Sequence, residues 1–164
     1  MTREQYERWS APIARHPRGP VALKWINTLL TRLCYVCYPL ALAVLAINRD
    51  GRFWRTLLVP GISFVLVTFL RKGVNRPRPY EALDIHPIIH KDTKGNSFPS
   101  RHVFSVFVID MAFWYLCPPL GGVFLVVGVI LAATRVLGGV HYPSDVLAGA
   151  LLAAAAGALG FWVV

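Results

Sequence analysis

The segment 134–145, TRVLGGVHYPSD, places three chemically active side chains between two very apolar stretches of the chain. Polar groups in such a position are costly unless they have a role. A neutral His141 imidazole could attack a phosphorus atom, and the Asp145 carboxylate could accept the proton on the other ring nitrogen and stabilise the imidazolium that forms. Arg135 would bind the anion under attack. For this segment alone, a turn between membrane helices, with His141 at the interface and Asp145 at a helix N-terminus, is an equally good interpretation.

The segment 71–79, RKGVNRPRP, concentrates positive charge at the end of an apolar stretch. Its two prolines stiffen the backbone, so the guanidinium groups project from a fixed frame and can bind phosphate oxygens in pairs. Lysine and arginine at the end of a membrane span are also common, which is the simpler alternative. The cations of this segment are Arg71, Lys72, Arg76 and Arg78.

The segment 97–102, SFPSRH, has the pattern of a helix start. With Ser100 as N-cap, free backbone N–H groups and the positive helix end would point at a bound anion. His102, in the first turn, could protonate a leaving oxygen and later deprotonate water. A lone histidine at a helix start is usually only interfacial, but a second histidine and several arginines expected on the same face favour a functional role.

Together these segments contain a nucleophile with its orienting acid, a general acid/base and a set of cationic donors. That combination suits phosphoryl transfer without a metal, because the reaction depends mainly on positioning and charge stabilisation. The loop acids Glu81, Asp84 and Asp92 are scattered and form no cluster suited to Mg²⁺. We therefore expect neither a metal nor another cofactor.

The composition indicates an integral membrane protein. Hydrophobic residues make up 55% of the 164 residues, and 17 Lys and Arg against 8 Asp and Glu give a net charge of +9. Such a chain is too apolar for an ordinary soluble domain, and its polar parts face phospholipid head groups or a phosphorylated ligand rather than nucleic acid. Cys34, Cys37 and Cys117 lie in apolar runs and are interpreted as buried hydrophobic residues, not a redox pair or zinc site.

The apolar pattern predicts an all-α, polytopic transmembrane helical bundle with about five spans. Thr2 and Gln5 have the spacing of a capping box, which favours a short interfacial helix within residues 1–24 over disorder. We treat residues 1–164 as a single membrane-embedded domain in which residues 71–102 form the active-site loop. The spans are expected at about residues 25–48, 56–70, 103–117, 120–134 and 143–164.

Aromatic pairs and two isolated charges extend this prediction. The pairs 53–54, 114–115 and 161–162 fall at one membrane face as anchors, which leaves the loop and the 135–141 turn together at the other. Arg32 and Asp110 lie at similar depths in the first and third spans. An unpaired charge there is costly, so we hypothesise that the two spans are neighbours and that Arg32 meets Asp110 directly, as an ion pair, or through one polar group. The alternative is that Arg32 reaches the surface and Asp110 is neutral or bonded to a backbone group.

With these motifs in order, the chain resembles the type 2 phosphatidic acid phosphatase (PAP2) family, which shares its site design with the vanadium haloperoxidases. The family signatures are Lys-x6-Arg-Pro, Pro-Ser-Gly-His and Ser-Arg-x5-His-x3-Asp, and their counterparts here lie between residues 71 and 145. The resemblance implies that His141 forms a phosphohistidine, that Asp145 is its partner and that His102 is the general acid. The phosphate-binding residues it implies are Arg78, Ser100 and Arg135.

Three positions depart from the family pattern. Arg71 stands where lysine is usual, although Lys72 could take that role if the register shifts by one. Arg101 replaces the glycine and could add a contact to the substrate, and Thr134 replaces the serine before the third-motif arginine. The family also has six spans, so we expect the surface segment before the first span to stand in place of one of them.

The resemblance implies a metal-independent phosphatase acting on a lipid phosphate or pyrophosphate, such as phosphatidic acid, phosphatidylglycerol phosphate or undecaprenyl pyrophosphate. It also implies a bacterial plasma membrane with the site on the extracytoplasmic face, whereas a count of positive charges on the two faces points the other way. The alternative function is a non-catalytic binder or transporter of anionic lipid. That alternative explains the arginines but not the two histidines and the acid. Oligomeric state stays open.

Overall fold

A computed structural model describes residues 1–163 and shows five long helices with two shorter ones, and no strand within these residues. A single π-helical turn, Leu159–Val163, continues the last helix. The predicted all-α bundle is therefore confirmed. The helices are α1 Arg3–Arg15, α2 Gly19–Ile47, α3 Phe53–Val74, α4 Pro79–Ala82, α5 Arg101–Leu116, α6 Pro118–Leu137 and α7 Pro143–Ala158.

Four helices, α2, α3, α6 and α7 with its π turn, are long and apolar enough to cross a membrane. The third predicted span is α5, whose 16 residues make a helix of about 24 Å, shorter than the roughly 30 Å hydrocarbon core. Nine of its residues are buried, and it packs against α3, α6 and α7. The short helix is therefore the centre of the bundle, surrounded by the longer ones.

The core is built on the two sides of α5. On one side, Cys34 of α2 packs with residues of α5 and α6, and the rings of Phe113 and Phe124 stack with centroids 4.2 Å apart. On the other side, Phe104 of α5 packs with residues of α3 and α7. Gly149 permits the close approach of α7, because a Cβ there would lie 2.7 Å from the Ser100 carbonyl oxygen.

The aromatic anchors meet at one end of the bundle, as predicted. The rings of Tyr115 and Phe161 stack with centroids 5.0 Å apart, and Trp162 contacts Tyr115 edge-on at 6.1 Å. The Arg55 guanidinium donates to the Phe161 carbonyl oxygen at 3.3 Å. The ends of α3, α5 and α7 are thus joined at the end opposite to the polar loop.

Helix α1 closes over the polar end. The Thr2 hydroxyl accepts from the Gln5 backbone N–H at 3.2 Å, and the Gln5 side chain accepts from the Thr2 N–H at 2.9 Å, so the predicted capping box is confirmed. Tyr6 is 3% exposed, and its hydroxyl donates to the His86 carbonyl oxygen at 3.4 Å. The placement of α1 at a membrane surface stays a prediction.

The predicted ion pair between Arg32 and Asp110 is wrong. Within residues 1–163 no ion pair joins the two side chains, and Arg32 is exposed on α2. Asp110 is 2% exposed and its Oδ1 atom has no hydrogen-bond partner. The helices α2 and α5 are neighbours, but matched depth along two helices does not fix the direction in which each side chain points.

Candidate active site

His141 lies in the turn between α6 and α7, two residues after Gly139, whose φ of +75° suits glycine. Its side chain is 1% exposed, and its Nε2 atom has no hydrogen-bond partner. Burial lowers the pKa of His141 to about 3, with the Asp145 hydrogen bond opposing this effect and the charges of Arg135 and Arg78 adding to it. The imidazole is therefore neutral at physiological pH, with one ring nitrogen free to react.

Asp145 is a fully buried carboxylate held by three donors. Its Oδ2 atom accepts from the Ser97 hydroxyl at 2.5 Å and from the Tyr142 backbone N–H at 3.0 Å, and its Oδ1 atom accepts from the Arg76 guanidinium at 2.8 Å. The predicted contact with His141 is present but long, at 3.5 Å between Nδ1 and Oδ2. These donors fix the carboxylate beside the imidazole.

Ser97 and Arg76 were not assigned to the site from sequence, although both lie inside the segments that carried the motifs. The Ser97 hydroxyl lies 3.5 Å from His141 Nδ1, so it contacts both members of the histidine–acid pair. The Arg76 guanidinium also stacks over the Tyr142 ring at 4.0 Å. The signal was present in the segments, but nothing in the sequence distinguishes a residue that positions Asp145 from one that meets the substrate.

Three arginines are anchored through neutral acceptors, so their positive charges are not neutralised. Arg78 is 3% exposed and donates to the carbonyl oxygens of Gly95 at 3.0 Å and Val140 at 3.3 Å. Arg71, 8% exposed, donates from Nε to the Asn96 carbonyl oxygen at 2.5 Å. A buried guanidinium with remaining N–H donors and no carboxylate partner is prepared for an anion.

Arg135, the third of these arginines, is 1% exposed, and its Nε and Nη2 atoms have no partner. Its Nη1 atom donates to the Asn27 side-chain oxygen at 3.1 Å. The Thr134 hydroxyl donates to the Leu131 carbonyl oxygen at 2.7 Å and lies 3.5 Å from the same Asn27 oxygen. Asn27 of α2 thus positions Arg135, which the sequence did not predict. The only sequence signal was an amide side chain within an apolar span.

Ser100 occupies the N-cap position of α5, as predicted, but its side chain makes no capping hydrogen bond. The hydroxyl is fully buried and has no partner. Instead, the Ser100 backbone N–H donates to the Asp145 carbonyl oxygen at 2.9 Å, which ties the start of α5 to α7. The predicted N-cap position is therefore confirmed, and the missing side-chain bond leaves a free hydroxyl and free helix N–H groups at the site.

A cavity of about 400 Å³ opens at this end of the bundle. Arg71 is buried and Lys72 is exposed, and the Arg101 guanidinium lies 5.5 Å from the centre of the Phe64 ring. His141 and Arg135 are buried and do not line it. The lining residues are Thr68, Arg71, Lys72, Arg78, Lys91, Thr93, Lys94, Gly95, Asn96, Arg101 and His102.

The structure brings both histidines, the acid and the cationic residues predicted from sequence to one end of the bundle. In residues 1–163 no group of three or more His, Cys, Asp or Glu side chains is placed to hold a metal ion. The arrangement is a buried imidazole with a free nitrogen beside unneutralised guanidinium groups. These features define a helical integral membrane protein with a buried cluster of unneutralised cations at one end.

Residues 52–164 match the model of the PAP2 superfamily, and the chain belongs to that superfamily. The bacitracin transport permease protein BcrC of Bacillus licheniformis is 30% identical over 78% of this chain and 66% of its own length. The undecaprenyl-diphosphatase BcrC of Bacillus subtilis is 27% identical over 83% of this chain and 72% of its own. The lipid A 1-phosphatase of Rhizobium etli is 35% identical over 64% of this chain and 46% of its own.

The two relatives from Bacillus licheniformis and Rhizobium etli are thus matched over less than two thirds of their lengths. Among solved structures, LpxE of Aquifex aeolicus superposes with a TM-score of 0.74 at 27% identity, covering 96% of this chain and 92% of that one. The similarity therefore includes the helical architecture as well as the motif segments.

Proposed function

We propose that the protein is a metal-independent membrane phosphatase that hydrolyses a lipid phosphate or lipid diphosphate through a phosphohistidine intermediate. Membership of the superfamily and the lipid phosphatases among its relatives support this class of activity. The observation that carries the proposal is the buried, neutral His141 with a free Nε2 atom beside the fixed Asp145 carboxylate. An anion-binding surface alone would need no such nucleophile.

In the first step, His141 Nε2 attacks the phosphorus atom, and the bond from phosphorus to the leaving oxygen breaks. His102 in its protonated form, which the negative charge of the bound phosphate favours, donates a proton to that oxygen. The positive charge that develops on the imidazole is stabilised by the Asp145 carboxylate, which accepts a hydrogen bond from the Nδ1–H group and stays ionised. Asp145 keeps its position beside His141 because the donors to its carboxylate come from three separate segments of the chain.

In the second step, water attacks the phosphohistidine and His102 accepts its proton. The bond between phosphorus and nitrogen breaks, which releases inorganic phosphate and restores the neutral imidazole. The same histidine thus serves as acid and then as base.

Charge on the transferred phosphoryl group is stabilised by the site cations. Arg71, Arg78 and Arg135 retain N–H groups for its oxygens, and the free Ser100 hydroxyl adds a donor. These donors are fixed before substrate arrives, so little reorganisation is needed in the transition state. Lys72 and Arg101 line the cavity and would contact the substrate further out; burial and anchoring favour Arg71 over Lys72 for the role of the first-motif lysine.

The substrate candidates are phosphatidic acid, phosphatidylglycerol phosphate and undecaprenyl pyrophosphate. We place the protein in a bacterial plasma membrane with its site on the extracytoplasmic face, in keeping with the family pattern. The competing function is binding or transport of an anionic lipid without hydrolysis. The name of one relative, a transport permease protein, is consistent with this alternative.

The test is phosphate release by purified protein in detergent from a panel of these lipids. Release should continue in EDTA, because the cationic residues supply the charge stabilisation, and vanadate should inhibit as a mimic of the five-coordinate transition state. Activity that is lost in EDTA and restored by Mg²⁺ would reject the metal-free site. Tight lipid binding without any release would favour the non-catalytic alternative.

A further inference from the structure

One wall of the cavity comes from the loop segment 91–96, which lies outside the three motif segments. Lys91 and Lys94 line the cavity together with Thr93. The other charged lining residues come from the ends of α3 and α5 and from the segment between α3 and α4. Two lysines with no assigned role therefore line the same cavity as Arg71 and Arg78, two of the proposed phosphate-binding residues.

Hydrogen bonds hold this lysine-bearing segment against the rest of the site. Before it, the Ile89 N–H donates to the Gly138 carbonyl oxygen at 3.1 Å, next to the turn that carries the nucleophile. Within it, the Tyr80 hydroxyl donates to the Thr93 carbonyl oxygen at 2.5 Å. The backbone of both lysines is thus fixed relative to the site.

The far end of the segment is held as firmly. The Gly95 N–H donates to the Glu81 carboxylate at 2.8 Å, and the Gly95 carbonyl oxygen accepts from Arg78 at 3.0 Å. The Glu81 carboxylate is thereby occupied by backbone N–H groups, including that of Arg78 at 2.8 Å. Within residues 1–163 no ion pair joins it to a lysine.

Positive charge in the cavity has no counterpart. Within residues 1–163 no acidic side chain lines the cavity, and no ion pair involves Lys91 or Lys94. Burial, together with the charges of Arg135, Arg78, Arg71 and Arg101, lowers the pKa of Lys91 to about 7. An anion bound beside Lys91 would relieve this repulsion and favour the protonated amine.

One transferred phosphoryl group does not require all of these donors. The buried arginines and the Ser100 hydroxyl already supply more N–H and O–H groups than its oxygens need. The two lysines are additional, and the cavity volume of about 400 Å³ exceeds what a single phosphoryl group fills.

We propose that Lys91 and Lys94 form a second anion subsite, which binds the phosphate that is not transferred, and that the preferred substrate is a lipid diphosphate rather than a lipid monophosphate. This inference rests on the proposed function. Attack of His141 would break the bridging bond between phosphorus and oxygen, and the electron pair would leave on the lipid monophosphate. The lysines would stabilise the charge that develops there.

The first test measures binding without turnover, by calorimetric titration of purified protein in detergent with methylenediphosphonate and with methylphosphonate. A charge-assisted contact at the second group predicts about 10- to 100-fold tighter binding of the diphosphonate. K91Q and K94Q should each reduce this preference, and the double variant should remove most of it. K24Q, which removes an exposed lysine of α2 outside the cavity, should retain it.

Equal affinity for the two phosphonates in the wild-type protein would overturn the subsite, as would a preference that persists in the double variant. Thermal melting of each variant and recovery of the preference in K91R would separate a lost contact from a lost fold. This measurement decides the subsite whether or not the protein is catalytic.

The second test compares kcat/KM for farnesyl diphosphate and farnesyl phosphate. K91Q should lower the ratio of kcat/KM for the diphosphate to kcat/KM for the monophosphate by about tenfold or more. Equal loss on both substrates would assign Lys91 to the transferred phosphoryl group and reject the second subsite. Absence of release from every lipid phosphate by the wild-type protein would instead reject the proposed function.

Discussion

Two groups of buried ionisable side chains differ in how fully they are hydrogen-bonded. At the polar end, Asp145 accepts three hydrogen bonds and the site arginines are anchored by carbonyl or amide oxygens. In the middle of the bundle, Asp110 is 2% exposed and its Oδ1 atom has no partner. Burial of charge is therefore not in itself the mark of a site.

The difference lies in how the free hydrogen-bonding capacity is arranged. The polar end leaves donors unused on Arg135 and Ser100 and a ring nitrogen of His141 without a partner, so the unused groups come from several elements. Within residues 1–163 no ion pair includes Asp110. Anchoring that keeps several donors free toward one point is what a binding site requires.

The largest expected effect comes from removing either histidine at the polar end. His102→Ala should lower kcat by about 100- to 10,000-fold, because general acid–base catalysis contributes that much, and His141→Ala should lower it at least as far. The measurement is phosphate release, with gel filtration and thermal melting to show that the fold persists.

His16→Ala is the matched control, since His16 is exposed at the end of α1. Near wild-type release by either active-site variant would contradict the mechanism.

A smaller effect is expected from the group that positions Asp145. Ser97→Ala removes a hydrogen bond to a buried carboxylate, so kcat should fall about 10- to 100-fold with little change in KM. Ser97→Thr should restore part of the loss. Ser63→Ala, which removes a buried hydroxyl bonded only to its own helix, should match wild type, and a rise in KM alone would instead place Ser97 in contact with substrate.

Acid should destabilise the polar end through His141. Its pKa is lowered from 6.5 to about 3 in the folded protein, so the unfolded state binds more protons between these values. The free energy of unfolding should therefore increase with pH from about 3 to about 6.5 and decline on acidification through that range. Melting temperatures measured in detergent across this pH range would show the dependence. His141→Asn should make it shallower, because up to about one proton fewer is bound on unfolding.

The smallest effect is expected in the middle of the bundle. Asp110→Asn should leave activity within about twofold and keep or raise the melting temperature, because a buried carboxylate without a charged partner is costly. Combining it with Arg32→Gln should give stability changes that add to within about 0.5 kcal/mol. A coupling above about 1 kcal/mol in this double-mutant cycle would restore the ion pair that the structure contradicts.

Sequence alone determined the helical membrane architecture and most of the site. Apolar run length sets which segments can cross a bilayer, and the motif segments at their ends set which side chains share a face. His141 and Asp145 could be paired because residues four apart across a helix start lie on one side of it. The capping box at Thr2 was predictable for the same reason, since its geometry is entirely local.

Only the tertiary structure decided the contacts between segments far apart in the chain. Asn27 meets Arg135 across 108 positions, and Ser97 meets Asp145 across 48. The direction of each side chain depends on helix rotation, which packing around α5 fixes and local sequence does not. The same dependence made the pairing of Arg32 with Asp110 wrong, and it placed Lys91, which belongs to none of the motif segments, in the wall of the cavity.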